Sequence, residues 1–124
     1  MPTDNRTALA VCGELLATQH LIRRGYDIVA TNARTRFGEI DVIASGDDTL
    51  VFVEVKTRRA GGGAGTPLDA IDRRKARQVR RLAAAWLAET PGRPTAVEIR
   101  FDAVGVTVGR EGELIALDHL EGAF

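Results

Sequence analysis

The chain has 124 residues, 44% hydrophobic and 27% charged, with acidic and basic side chains in equal number and a formal net charge of zero. That composition fits a single ordinary globular domain, residues 1–124, with enough apolar material for a core. A single Cys12 excludes an internal disulfide, and no apolar run approaches the roughly 20 residues of a membrane helix.

The start, Met1 to Arg6, is polar and lacks an apolar signal core, so a cytoplasmic location is expected. Asn5 or Thr7 can cap a helix from about Ala8 to Arg24, with Gly25 in the position that ends helices. Cys12 sits among Leu9, Val11, Leu15 and Leu16 and reads as a small buried residue. Glu14 has Ala10, Val11, Ala17, Thr18, Thr7 and Leu21 as helical neighbours, so it lies beside or within the apolar stripe. Leaning inward, it would reach a sheet; leaning outward, it is a solvated glutamate. His20 and His119 stand apart from any Cys or His at zinc-ligand spacing, so structural zinc is not expected.

Tyr26 to Arg34 reads as a first strand, and Glu39–Ala44 and Leu50–Val55 as a hairpin around the polar turn Ser45–Thr49. With a four-residue loop, Gly46 to Thr49, Ser45 faces Leu50, Ile43 faces Phe52, Asp41 faces Glu54 and Glu39 faces Lys56, all on one side of the sheet. Ile40, Val42, Ala44, Val51, Val53 and Val55 make the other side, an apolar surface that must be buried. Because Ile43, Leu50 and Phe52 also need shelter, both sides are expected to be covered. Two carboxylates placed directly opposite each other repel, and a divalent metal with an adjacent lysine is the economical remedy.

Mg²⁺ or Mn²⁺ suits that set, because Mg²⁺ takes one or two carboxylates and keeps most of its waters. Asp41 and Glu54 fit as direct ligands and the carbonyl of Val55 as a third, while Glu14 could hold a metal-bound water or a second ion. Lys56, two residues beyond Glu54, is placed to orient or deprotonate an attacking water or to stabilise developing charge. Glu39, opposite Lys56, reads as its ion-pair partner.

Beyond Lys56 the tract Gly61 to Gly65 is expected to form a mobile Gly/Arg loop over residues 57–66, either a plain linker or a clamp on substrate. Thr66, Pro67 and Asp69 form a capping signature for a helix from Pro67 to about Glu89, with Ile71, Val79, Leu82, Ala83 and Trp86 as its apolar stripe and Lys75 falling on that stripe. Ala96 to Val108 alternates as one long strand or two, with Gly105 a possible bulge, and Glu113 to Asp118 could add an edge strand. From Lys56 to Arg81 there are nine basic residues against two acidic ones, a net +7, while the remainder carries −7. Arg58, Arg59, Arg73, Arg74, Lys75, Arg77 and Arg81 are therefore candidate phosphate contacts beside the acidic cluster, although a solvated helix face has the same look.

The run Gly38-Glu39-Ile40-Asp41-Val42-Ile43-Ala44, followed by Leu50-Val51-Phe52-Val53-Glu54-Val55-Lys56-Thr57-Arg58, resembles the bacterial YraN-type endonuclease-like proteins. These are similar to archaeal Holliday-junction resolvases and to the PD-(D/E)XK nuclease superfamily. The resemblance extends from Gly13 and Glu14 through Gly25, Tyr26 and Asn32 to Ala70, Lys75 and the following helix. It implies an α/β fold, a restriction-endonuclease-like mixed β-sheet flanked by helices in the order α-β-β-β-α-β. Glu14, Asp41, Glu54 and Lys56 match the superfamily's acidic helix residue, metal-binding aspartate, glutamate and catalytic lysine. The implied activity is metal-dependent cleavage of structured or branched DNA in recombination or repair, with RNA left open and a homodimer allowed by the likeness to resolvases. The alternative is a catalytically silent nucleic-acid-binding module working with a helicase or branch-migration partner, and a third reading makes Asp41, Glu54 and Lys56 a buried ion network.

Overall fold

A computed structural model describes residues 5–62, 65, 68 and 72–124, with side chains from residue 8 onward. The helix α1 (Asn5–Arg23) is followed by strands β1 (Asp27–Thr35), β2 (Gly38–Gly46) and β3 (Thr49–Arg59), helix α2 (Arg73–Glu89), and strands β4 (Glu98–Val108) and β5 (Leu114–Leu120). The five strands form one sheet in the order β1-β2-β3-β4-β5, parallel between β3 and β4 and antiparallel elsewhere. The expected α/β class and element order are what the chain adopts, with β5 as the additional edge strand. No described helix is long and apolar enough to cross a membrane.

Helix α1 starts by Asn5, a turn earlier than a cap at Thr7 would allow. It ends where Gly25 takes φ +95°, with Tyr26 N–H donating to Leu21 C=O and Gly25 N–H to Ile22 C=O, both at 3.0 Å. Ala17 and Leu21 bury against Val42, Ala44, Val51, Val53, Val104, Val106 and Val108 on one side of the sheet. Cys12 is half-buried at the margin of this cluster. On the other side, Leu82, Ala83 and Trp86 of α2 cover Ile43, Leu50 and Phe52. Both faces are therefore sheltered, as two-sided apolar strands require.

The hairpin register is the expected one, with Ser45 opposite Leu50 and Ile43 opposite Phe52. Its loop is tighter than expected: Gly46 pairs with Thr49, leaving Asp47 and Asp48 at φ 51° and 57° in a two-residue turn of type I′. Aspartate tolerates the left-handed conformation, which is why no glycine is needed. Strict alternation fails at Ile40, which packs with Ala33 in the cluster under α2 and not on the α1 side. The break coincides with Asn32, which lies between the paired residues Thr31 and Ala33 of β1 and has φ 48°.

Helix α2 begins at Arg73, because Asp72 is extended (φ −139°, ψ −176°) and its carboxylate accepts from Lys75 N–H at 2.9 Å. A helix unbroken from Pro67 is thereby corrected; the signature Thr66, Pro67, Asp69 and the stripe residue Ile71 lie outside the described residues. So do Gly63 and Ala64 of the expected loop, whose first residues, 57–59, belong instead to β3. A parallel partner draws the strand out: β4 pairs with β3 along its whole length, Thr49–Glu98 through Arg59–Val108. Gly105 is a regular rung between Lys56 and Asp118, so the suspected bulge falls at Thr107/Val108.

Candidate active site

The ladder between β2 and β3 stops at Val42–Val53, and beyond it the two strands part. Into the gap Asp41 turns its carboxylate, which accepts a hydrogen bond from Val55 N–H at 2.8 Å in place of the missing backbone carbonyl. The N–H and C=O of one strand residue project to the same side, so the Val55 carbonyl opens into the same gap. Asp41 and Glu54 thus stand at the edge of the opening, and the expected rung between them is not formed. Burial, reinforced by the nearby charge of Glu54, pushes the Asp41 carboxyl up to about 7.

Glu54 is nearly covered, its side chain 12% exposed, and its Oε1 lies 2.8 Å from Lys75 Nζ and 3.7 Å from Lys56 Nζ. Glu39 does not pair with Lys56. It lies across from Arg34 on β1 and bonds to it at 3.3 Å, because the cross-strand neighbour is closer than a residue on a diverging strand.

Glu14 arrives from α1. Its carboxyl is raised above the usual range by burial, opposed by a hydrogen bond from the Asn32 side chain and assisted by the charges of Glu39 and Glu54. The inward-leaning alternative is therefore the observed one. Gly13 brings α1 close enough for this: a Cβ there would overlap the Thr57 side chain on β3. Gly13→Ala is expected to destabilise the fold by about 2 kcal/mol through overpacking, against the roughly 1 kcal/mol gain of the same change in an open helix. Urea melts check it, and a neutral or stabilising result would mean that the helix packs elsewhere.

The basic residues divide. Arg73, Arg74, Arg77 and Arg81 are exposed on α2 and Arg59 is exposed at the end of β3, whereas Arg58 is half-buried. Arg81 lays its guanidinium over the ring of Phe37 at 3.9 Å, holding it beside the β1–β2 turn. Lys75 leaves this group and points at Glu54. Its place on the apolar stripe is the sequence signal for that inward course. Asn32, which bonds Glu14, carries no local site signal beyond being an Asn within a strand pattern, able to take φ above zero.

Among the described residues no three His, Cys, Asp or Glu side chains converge as a metal-binding group. Mg²⁺ requires no such triad, since one or two carboxylates with waters suffice. The donor set fits a hard cation: a carboxyl raised by burial and by its acidic neighbour, a second carboxylate already holding an ammonium, and a strand carbonyl facing the same gap.

Fold and site together define an α/β domain of restriction-endonuclease-like architecture whose sheet opens onto a carboxylate cluster flanked by two lysines. Its sequence carries the rest: the model of the uncharacterised protein family UPF0102 matches residues 13–106, and the chain belongs to that family, the YraN family that the hairpin block resembles. A UPF0102 protein of Parafrankia sp. (strain EAN1pec) is 49% identical over 112 residues, covering 90% of this chain and 92% of its own. Those of Nocardia farcinica and Mycobacterium avium are each 46% identical, covering 97% of this chain and 91% and 92% of theirs.

Proposed function

We propose that the protein is a Mg²⁺- or Mn²⁺-dependent nuclease that hydrolyses phosphodiester bonds in structured or branched DNA. The observation that carries this reading is the meeting of Asp41, Glu54 and two lysines at the opening where β2 and β3 part. Two neighbouring carboxylates repel, and a cation between them relieves that repulsion. When bound, a divalent ion supplies charge neutralisation at the phosphate and lowers the pKa of a water. Asp41 and Glu54 would hold it, with the Val55 carbonyl as a third donor and Glu14 reaching it through water. Lys56, whose side chain is 36% exposed, can meet substrate and orient or deprotonate the attacking water. The exposed arginines of α2 would take phosphates, which positions the substrate without reading its sequence.

A second reading, a silent binding module that works with a helicase or branch-migration motor, draws support from two contacts. Asp41 Oδ2 already accepts from Val55 N–H, and Glu54 Oε1 already faces Lys75. Incubation with Mg²⁺ or Mn²⁺ and a panel of four-way junction, flap, single-stranded and duplex DNA separates the two. Cleavage of at least one substrate is expected. Salt-sensitive binding without cleavage in either metal would favour the module, and neither binding nor cleavage would remove DNA as the substrate.

A further inference from the structure

Two lysines approach one carboxylate oxygen, and they do so differently. Lys75 Nζ stands 2.8 Å from Glu54 Oε1 with its side chain 25% exposed, while Lys56 Nζ stands at 3.7 Å and is 36% exposed. The closer pair joins a side chain that is itself nearly covered, and an ion pair sheltered from water is held more firmly than one in solvent. Lys75 is fixed at its root as well, because its N–H bonds the capping carboxylate of Asp72 at 2.9 Å. Its four-carbon stem is the flexible part. A divalent ion shared by Asp41 and Glu54 would draw on the same carboxylate charge that Lys75 now neutralises.

We propose that Lys75 is an internal counter-ion that competes with the divalent metal for Glu54, holding the site closed to metal until its ammonium is displaced. This rests on the reading of Asp41 and Glu54 as a metal centre. A pair that is closed about nine-tenths of the time lowers the apparent metal affinity roughly tenfold, because metal binds only the open fraction. Lys56, more exposed and farther from the oxygen, competes weakly.

The test is equilibrium Mn²⁺ binding, read by electron paramagnetic resonance of the free ion, for the full chain and its Lys75→Met, Lys56→Met and Asp41→Asn variants, with circular dichroism to confirm folding. Lys75→Met is expected to bind Mn²⁺ roughly tenfold more tightly than wild type, and Lys56→Met to gain less than about threefold. Lys75→Gln, which keeps a polar tip, is expected to repeat the gain and serves if the methionine variant fails to fold. Equal gains at Lys56 and Lys75 would overturn the proposal in favour of a diffuse field effect. Wild-type binding that depends on Asp41 but is unaltered by loss of Lys75 would overturn the proposal and leave the metal centre standing. No Asp41-dependent binding in any variant would overturn both.

Discussion

Asp41→Asn is expected to abolish cleavage in Mg²⁺ or Mn²⁺ while leaving the fold intact, and to make the metal-free protein more stable than wild type in alkaline buffer. The amide oxygen can still accept from Val55 N–H, so the tie across the strand gap survives. What disappears is the cost of ionising a carboxyl that burial and Glu54 have raised to about 7 from an ordinary 3.8. The sign follows from linkage. A group with its folded pKa raised contributes stability that is present below its unfolded pKa and is lost as pH rises through the folded one. Wild type should therefore weaken relative to the variant between about pH 4 and pH 7 and stay weaker above it, by as much as about 4 kcal/mol. Denaturant melts of both proteins at pH 4.5 and pH 8 measure the difference. Saturating Mn²⁺ should raise the wild-type melting temperature at pH 8 and leave that of the variant unmoved, since ligand stabilises only the state that binds it. Undiminished cleavage by the variant would sink the proposed site, and a pH-independent stability difference would remove the buried charge.

Asp102→Ala should give the largest loss of stability among single charged-residue changes, about 3–5 kcal/mol. Asp102 is fully buried on β4 and accepts from Arg100 Nε and Nη2 at 2.8 and 2.9 Å and from Gly122 N–H at 3.1 Å, and it bonds His119 Nε2 at 2.8 Å. Burial alone would raise its carboxyl, but the bonds from His119, Arg100 and Gly122 outweigh that and hold it at about 2. The network continues through His119 Nδ1 to His20 Nε2 at 3.0 Å, tying α1 to β5, and through Arg100 Nη2 to the Tyr26 hydroxyl at 2.6 Å. Two histidines that stand apart in sequence thus meet. Burial, with His119, Arg24 and Arg23 nearby, lowers the His20 pKa, so its neutral form is favoured in the fold. The His20 contribution to stability should fall as pH drops below the ordinary histidine value of about 6.5, opposite in sign to the Asp41 contribution over the same range and read as the difference between wild type and His20→Ala. A depressed acid contributes above its unfolded pKa, so a second loss of roughly 2 kcal/mol belongs between about pH 4 and pH 2. Asp102→Ala should lose that second step. Arg100, partly exposed and still within reach of Glu121 and the Tyr26 hydroxyl, should keep those partners in the variant. A loss under about 1 kcal/mol would mean that water replaces the carboxylate.

The elements of this chain follow from local chemistry that can be read residue by residue. Alternation of apolar and polar side chains defines the hairpin, and Gly25 at φ +95° ends α1 where its lack of a Cβ allows. Since side chains two residues apart share a face of a strand, Glu54 and Lys56 were bound to stand together, and the register of Ser45 with Leu50 put Asp41 across from them. Tertiary structure decided what no local pattern carries. The separation of β2 from β3 beyond Val42 turned a facing pair into a gap that Asp41 fills, and Ile40, near the positive-φ residue Asn32, packs in the other cluster. Packing of α2 over Phe52, through an edge-on contact with Trp86 at 5.8 Å, carried Lys75 to Glu54 and away from the exposed arginines. Glu39 went to Arg34 because strand pairing with β1 was closer than the diverging β3. Periodicity reports each side chain's direction from its own element, within a few residues. The partner it meets depends on how elements distant in sequence are packed, and so do the raised carboxyl of Asp41 and the joined histidines.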